Sequence, residues 1–401
     1  MKTAVRIAGL LLLLTAVNFS VYFLTAGKHD IPAVASDEST TLSPPDTLVL
    51  TFAGDLMAHS VNFSMGDYSD IYRDIKPIVA AADLAFINLE TPVVDGDDFS
   101  TFPRFNVKRS YVEAAIDGGF DVFALANNHS TDQEGPGILA TLREMSSLAE
   151  ERRISFSGIR PHQRSPMTPV EINAGNWKVG FLSITSFVNV WSGNELVFLA
   201  DYYRNDELEK ELLKFIGAIA PLYDVLVLAV HDGMEYEHIP MERKKEFFRK
   251  LSEAGADMVW GHHSHVLQPW EIHEGENGRR GVIAYSMGNF ISGQTWNIDP
   301  EDPENERNAT GDSFLLTVTF TRPADGEGRE HGSGVMVERV QPFAAFNYRD
   351  ARKGMIVRPM ETIAGDPDVP ESWRNYYRDR EKRLEWFLEP EKQQSDEQDQ
   401  S

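Results

Sequence analysis

The sequence predicts an α/β protein. Through the first two thirds of the chain, short apolar and β-branched runs alternate with segments of helical periodicity, which requires central strands buried on both faces. Toward the carboxyl end, strand-like runs follow one another without helices between them, so an antiparallel portion is expected there. With 401 residues, 42% hydrophobic and 10% aromatic, the chain can fill a core much larger than a minimal domain needs.

The elements can be justified in order. Lys2 and Arg6 precede an apolar run from Ile7 to Leu24, longer than a usual secretory core and at the lower limit of a spanning helix. Residues 1–27 are therefore expected to be a signal peptide, with Ala33-Val34-Ala35 as a late cleavage option, or a retained membrane anchor. Either way, the chain that follows is expected to be exported, outside the cytoplasm. Residues 28–46, with Pro44-Pro45 and no apolar periodicity, read as a linker.

Residues 47–346 read as the folded domain. Strands are expected at Thr47–Ala53, Leu84–Asn88, Val122–Ala126, Trp177–Ile184, Asp224–Val230 and Met258–Trp260. Helices are expected at Ile71–Ala82, Tyr111–Gly118, Ile138–Arg152, Asp206–Ala220 and Arg243–Ala254. Gly281–Ser286, Ser313–Thr321 and Gly334–Pro342 read as strands without helices between them, and an antiparallel portion is expected there. Residues 347–401 read as an extension in which Pro359, Pro367 and Pro370 precede a helix over Glu371–Glu389. There Trp373, Tyr377, Leu384 and Phe387-Leu388 recur at helical spacing, a stripe suited to packing on a core or, alternatively, to a membrane surface or a partner. From Pro390 the chain is acidic, Gln-rich and expected to be disordered.

Asp and Glu number 62 against 38 Lys and Arg, a formal net charge of −24, which excludes general binding of nucleic acid. The absence of cysteine excludes disulfides, thiolate metal sites, cysteine nucleophiles and a lipidated cysteine. Any metal must be held by His, Asp, Glu and Asn.

In α/β proteins, ligands bind at the carboxyl ends of strands, and this chain places its polar residues there. Asp55 follows the first strand, Glu90 the second, and Asn127-Asn128-His129 the third. His231-Asp232-Gly233-Met234-Glu235-Tyr236 and Gly261-His262-His263-Ser264-His265 follow later strands, then Ser286-Met287-Gly288-Asn289-Phe290. Singly, each has an ordinary explanation: Asp55 and Asn128 as helix caps, Glu90 as a turn acceptor, His231 as a satisfied interior imidazole. Together they are a ligand set for a divalent ion, gathered on one edge of one sheet.

In that order the six segments resemble those of the capsule-synthesis, or poly-γ-glutamate-synthesis, CapA family, within the calcineurin-like metallophosphoesterase superfamily. The resemblance covers roughly residues 48 to 295. It implies a four-layer α/β/β/α sandwich with mixed sheets. It also implies one or two divalent metal ions, Mn, Fe, Zn or Mg, held by Asp55, Glu90 as the bridging carboxylate, Asn128, His231, His263 and His265. His129 then corresponds to the substrate-facing catalytic histidine, and His262 is left as a neighbour. Glu235, Tyr236 and Asn289 stand as outer-layer or substrate-positioning residues.

One departure is Met57, which stands where the superfamily's first motif carries a second histidine ligand, and thioether is a poor ligand for a hard ion. His59 is the nearest histidine by sequence that could replace it. The chemistry implied is metal-dependent hydrolysis or transfer on a phosphoester or an anionic polymer, as two metals can activate a water and clamp the reacting group. The alternative is a membrane-tethered, non-catalytic subunit of a polymer synthesis or export complex that retains the fold. A local cationic patch at Arg104, Lys108 and Arg109 is the sequence's candidate for holding a polyanion.

Overall fold

The computed structural model describes residues 46–388, apart from residues 97, 204, 276–277, 296–297, 303–305 and 323–333. The expected signal or anchor, the linker up to residue 45 and the acidic tail lie outside the described residues. Among the described residues, no helix is long and apolar enough to cross a membrane.

Strands β1 (Asp46–Leu56), β2 (Leu84–Leu89), β3 (Val122–Ala124) and β4 (Ser155–Ser157) form a parallel run at one side of the first sheet. The second sheet is built from β5 (Val170–Ala174), β6 (Trp177–Thr185), β7 (Val225–His231), β8 (Met258–His262), β9 (Trp270–Glu274) and β10 (Arg280–Ala284), in the order β5-β6-β7-β8-β10-β9. Its four inner strands are parallel, and both edges are antiparallel. The first sheet is completed by β11 (Asn289–Ile291), β12 (Asp312–Arg322), β13 (Met336–Asp350) and β14 (Gly354–Pro359), in the order β14-β13-β12-β1-β2-β3-β4. β12 pairs antiparallel with the first part of β1, and β11 pairs parallel with its end, setting Asn289 opposite Asp55.

The two sheets face each other across an aromatic core. Phe52 stacks on Phe86 at 4.7 Å between ring centroids and meets Trp260 of the other sheet at 5.6 Å; Phe86 meets Phe181 edge-on at 5.5 Å. Helices α1 (Ser60–Phe63), α2 (Lys76–Val79), α3 (Arg109–Asp117) and α4 (Glu134–Arg152) lie between β1 and β4, and α3 and α4 bury Tyr111, Val112, Met145 and Leu148 on the outer face of the first sheet. α5 (Asp206–Ile219) and α6 (Glu242–Glu253) bury Leu212, Ile216, Phe247 and Leu251 on the outer face of the second. The result is the four-layer α/β/β/α sandwich with mixed sheets.

The helix expected over Ile71–Ala82 is not continuous. A 3₁₀ turn at Tyr68–Ile71 is followed by the single-turn α2, which carries Pro77 in its first turn. Proline has no N–H to donate and disfavours a helical residue before it, so a helix can start there but cannot run through it. β13 runs through the boundary expected at Asn347, and β14, α7 (Met360–Gly365) and α8 (Glu371–Leu388) follow it. α8 places Tyr376, Tyr377 and Leu384 in the same apolar cluster as Leu316 and Trp270, and Arg380 pairs with the buried Asp312. Its apolar stripe is therefore used on this core.

Gly54 shows how closely the site's supports approach one another. A Cβ built there would sit 2.0 Å from the Gly288 carbonyl oxygen, which accepts the Asp55 N–H at 3.0 Å. We expect Gly54→Ala to lower unfolding free energy by about 3 kcal/mol, the upper end of ordinary overpacking, because backbone rather than a flexible side chain must move. A urea midpoint unchanged from wild type would contradict this.

Candidate metal centre

The carboxyl ends of β1, β2, β3, β7 and β8 bring together residues that lie more than two hundred positions apart in sequence. Asp55, Glu90, Asn128, His231, His262, His263 and His265 are all buried. Ligand atoms of Asp55, Glu90 and His231 lie within 4.8 Å of one another, as do those of Glu90, His263 and His265. Glu90 is common to both groups.

The local backbone explains the aim of the histidines. His263 and His265 have φ of 93° and 58°, and Tyr236 has φ of 65°. Non-glycine residues in that region are strained, and such strain collects where side chains must converge. The Tyr236 N–H donates to the Ser264 carbonyl at 2.8 Å, locking the two loops together.

His262, which the sequence presents as a mere neighbour, is a direct partner of the site. Its Nδ1 lies 2.7 Å from Asp55 Oδ1, which also accepts the Asn88 amide at 2.9 Å. His265 Nδ1 pairs with Asn289 Oδ1 at 3.1 Å, and the Asn289 amide donates to the carbonyls of His265 and Thr310 and to Gln294. Asn289 thus orients a candidate ligand, the task of an outer-layer residue. Glu235 is exposed at the rim, while Tyr236 sets its ring 6.1 Å from that of His265.

The donor set fits a divalent cation. Asp55 Oδ2, both Glu90 oxygens, both His231 nitrogens, His262 Nε2, His263 Nδ1 and Asn128 Oδ1 are buried without a hydrogen-bond partner. Leaving so many polar atoms unsatisfied in one place is costly unless a cation takes their lone pairs. Burial, followed by the neighbouring imidazoles, holds His231 and His263 well below the usual histidine range, so both rings are neutral. Burial works against ionisation of Asp55, but the adjacent His262, then His265, hold it well below the usual carboxylate range. Burial and then Asp55 push Glu90 well above it. A cation at this point would reverse the penalty on Glu90.

His129 is held beside the cluster. Its Nδ1 lies 2.7 Å from Asp132 Oδ2, an oxygen that also accepts the Phe105 N–H at 2.7 Å, and Phe105 packs edge-on against the ring at 4.7 Å. With Nδ1 tied to a carboxylate, Nε2 is the nitrogen left for chemistry. Asp132 is a residue that sequence reasoning misses, although its spacing three residues after His129 is a usable signal. Asp232 is missed too: it accepts from Tyr202 Oη at 2.5 Å, Tyr203 Oη at 2.7 Å and the Ser186 hydroxyl, while buried Lys244 donates to its carbonyl at 2.8 Å.

Two residues singled out around the first motif make bonds to the surrounding chain. Met57 is buried, its N–H donating to the Ile291 carbonyl and its carbonyl accepting Tyr111 Oη at 2.8 Å. His59 Nδ1 accepts the Gly293 N–H at 3.1 Å, and His59 belongs to neither ligand group. Burial, then His265 and His129, push His59 down to about 4. A histidine depressed in the folded state contributes stability in full above its unfolded pKa and loses it as pH falls through the folded one. Metal-free protein is therefore expected to lose stability as pH falls from 6.5, the ordinary histidine value, to about 4. His59→Asn should flatten that slope by up to about 1.4 kcal/mol per pH unit in urea titrations. Equal slopes for the two proteins would refute it.

The patch expected at Arg104, Lys108 and Arg109 is largely neutralised. Arg109 is shared among Glu113, Glu144 and Glu151, Arg104 pairs with Glu134, and the Lys108 ammonium lies over the Phe99 ring.

The family model for the bacterial capsule synthesis protein PGA_cap matches residues 49–294, more than half of the chain. The PGA biosynthesis protein CapA of Bacillus subtilis (strain 168) is 27% identical over 293 residues, an alignment covering 68% of this chain and 69% of the relative. The capsule biosynthesis protein CapA of Bacillus anthracis is 28% identical over 262 residues, covering 63% and 61% respectively. Among solved structures, a hypothetical protein from Thermus thermophilus is 17% identical, covers 75% of this chain and 99% of its own, and has a TM-score of 0.40.

Proposed function

Because the chain belongs to the bacterial capsule synthesis protein PGA_cap family, we propose that it serves capsule polymer synthesis as an exported, metal-dependent hydrolase or transferase acting on poly-γ-glutamate or a phosphoester precursor. The supporting observation is the convergence of unpartnered, buried ligand atoms on Glu90, which joins the Asp55–His231 and His263–His265 groups. Asp55, Glu90, Asn128, His231, His263 and His265 would hold the ion. When bound, one or two such ions supply Lewis-acid polarisation of the reacting group and a nucleophile at neutral pH.

The chain's own residues do the remainder. Asp132 fixes the His129 ring through Nδ1, which leaves Nε2 to give a proton to a departing amine or oxygen. Asn88 and His262 hold Asp55 in one rotamer, and Asn289 does the same for His265. The apolar run Ile7–Leu24 supports export and either a cleaved signal or a membrane tether. A tether would bring the domain to a polymer synthesis complex.

The test is direct. The purified full-length chain is loaded with Mn²⁺, its bound metal is quantified, and γ-glutamyl, phosphodiester and phosphomonoester hydrolysis are assayed. Failure to bind stoichiometric metal under any loading condition would sink the enzymatic reading. Stoichiometric metal without turnover, together with full capsule formation by a His129→Ala strain, would favour a non-catalytic subunit.

A further inference from the structure

Among the candidate ligands, Asn128 alone has a side chain with two fixed and unlike ends. A carboxylate offers an oxygen at either end, and a neutral imidazole can offer either nitrogen by changing tautomer, whereas an amide carries oxygen at one end and two N–H donors at the other. Turned the wrong way, Asn128 would point hydrogens at a cation. Its orientation must therefore be set by a neighbour.

Asn189 is that neighbour. Residues 186–193 leave β6 and run beside the centre, tied to it from both sheets. On the side of the second sheet, the Ser186 N–H donates to the His231 carbonyl at 3.1 Å, and the Phe187 ring meets that of His263 edge-on at 4.8 Å. On the side of the first, the Asn189 N–H donates to the Asn128 carbonyl at 2.9 Å and the Val190 N–H to the Thr131 hydroxyl at 3.3 Å. With its backbone fixed on Asn128 in this way, Asn189 sets its Oδ1 3.4 Å from Asn128 Nδ2, which donates to it. Asn128 Oδ1 is the end left over, and it is buried without a hydrogen-bond partner. The Asn189 amide nitrogen also lies 3.4 Å from His129 Nδ1, but Asp132 already holds that nitrogen at 2.7 Å, so this contact packs the ring without giving it a second bond.

We infer that Asn189 is a positioning residue that holds the Asn128 amide oxygen-first toward the cation, so that this ligand is oriented before the ion arrives. The inference goes beyond the metal-centre reading above and rests on it for the role of Asn128. An amide without that acceptor would be free to turn its N–H groups inward, and binding the ion would then have to turn it back, which lowers affinity.

The experiment uses the full chain titrated with Mn²⁺ by calorimetry, with the urea midpoint of each metal-free protein measured beside it. Wild type is compared with Asn189→Leu, Asn189→Asp, Asn128→Ala and the double variant Asn128→Ala, Asn189→Leu. Asn189→Leu keeps the volume and removes the acceptor, and it should weaken Mn²⁺ binding roughly tenfold to a hundredfold with its urea midpoint close to that of wild type. Asn189→Asp keeps an acceptor oxygen and should bind Mn²⁺ at least as tightly as wild type. Because Asn189 acts through Asn128, Asn189→Leu should cost little further affinity once Asn128 is alanine. Unchanged affinity in Asn189→Leu, an equal loss in Asn189→Asp, or an equal cost of Asn189→Leu in both backgrounds would overturn the inference and leave the metal reading standing. Failure of wild type to bind Mn²⁺ would bring down the metal reading and this inference together.

Discussion

Replacing Asp55 with alanine should abolish most of the stabilisation that added Mn²⁺ confers. Asp55 is wholly buried at the end of β1, presents Oδ2 to the centre, and has Oδ1 committed to Asn88 and His262. A ligand that binds only the folded state stabilises it by about 2.7 kcal/mol when present at a hundred times its dissociation constant. Loss of a direct ligand should exceed the tenfold to hundredfold penalty typical of outer-layer changes, leaving about 0.4 kcal/mol or less at the same concentration. Urea unfolding of wild type and variant with and without Mn²⁺ measures the difference. The variant will also be weaker without metal, since Asn88 and His262 lose their acceptor, partly offset by relief of the repulsion that raises Glu90. A full metal-dependent shift in Asp55→Ala would remove Asp55 from the ligand set.

His129→Ala should behave oppositely, keeping metal and losing turnover. His129 lies in neither ligand group, and its imidazole is set by Asp132. General acid catalysis by a placed histidine contributes about a hundredfold to ten thousandfold, so kcat on the substrate identified by the hydrolysis screen should fall by that factor with metal stoichiometry intact. Asp132→Asn, which leaves the ring but loosens its orientation, should lose less, roughly tenfold. If His129→Ala instead lost its metal, the residue would be a ligand and the division of roles drawn above would be wrong.

Most of the candidate centre is legible in the sequence because strand ends are marked there twice, by an apolar run and by the polar residue that stops it. Asp55, Glu90 and His231 each carry that double mark, and His265 is singled out by the family resemblance. His262 is harder to place because its neighbours in sequence say nothing about which side of β8 faces Asp55; the register of β8 against β7 decides that.

The sequence by itself determined the α/β alternation, the order of the strand-end clusters and the residue types available to hold a cation, because apolar periodicity and side-chain chemistry are local properties. It also determined that α8 has an apolar stripe, without saying what covers it. Tertiary structure alone decided that the stripe lies on the domain's own core, that Glu90 is shared by two ligand groups, and that the arginines near α3 are neutralised by glutamates up to 42 positions away. Those outcomes depend on contacts between distant residues, and strand order and sheet packing, not sequence spacing, set such distances.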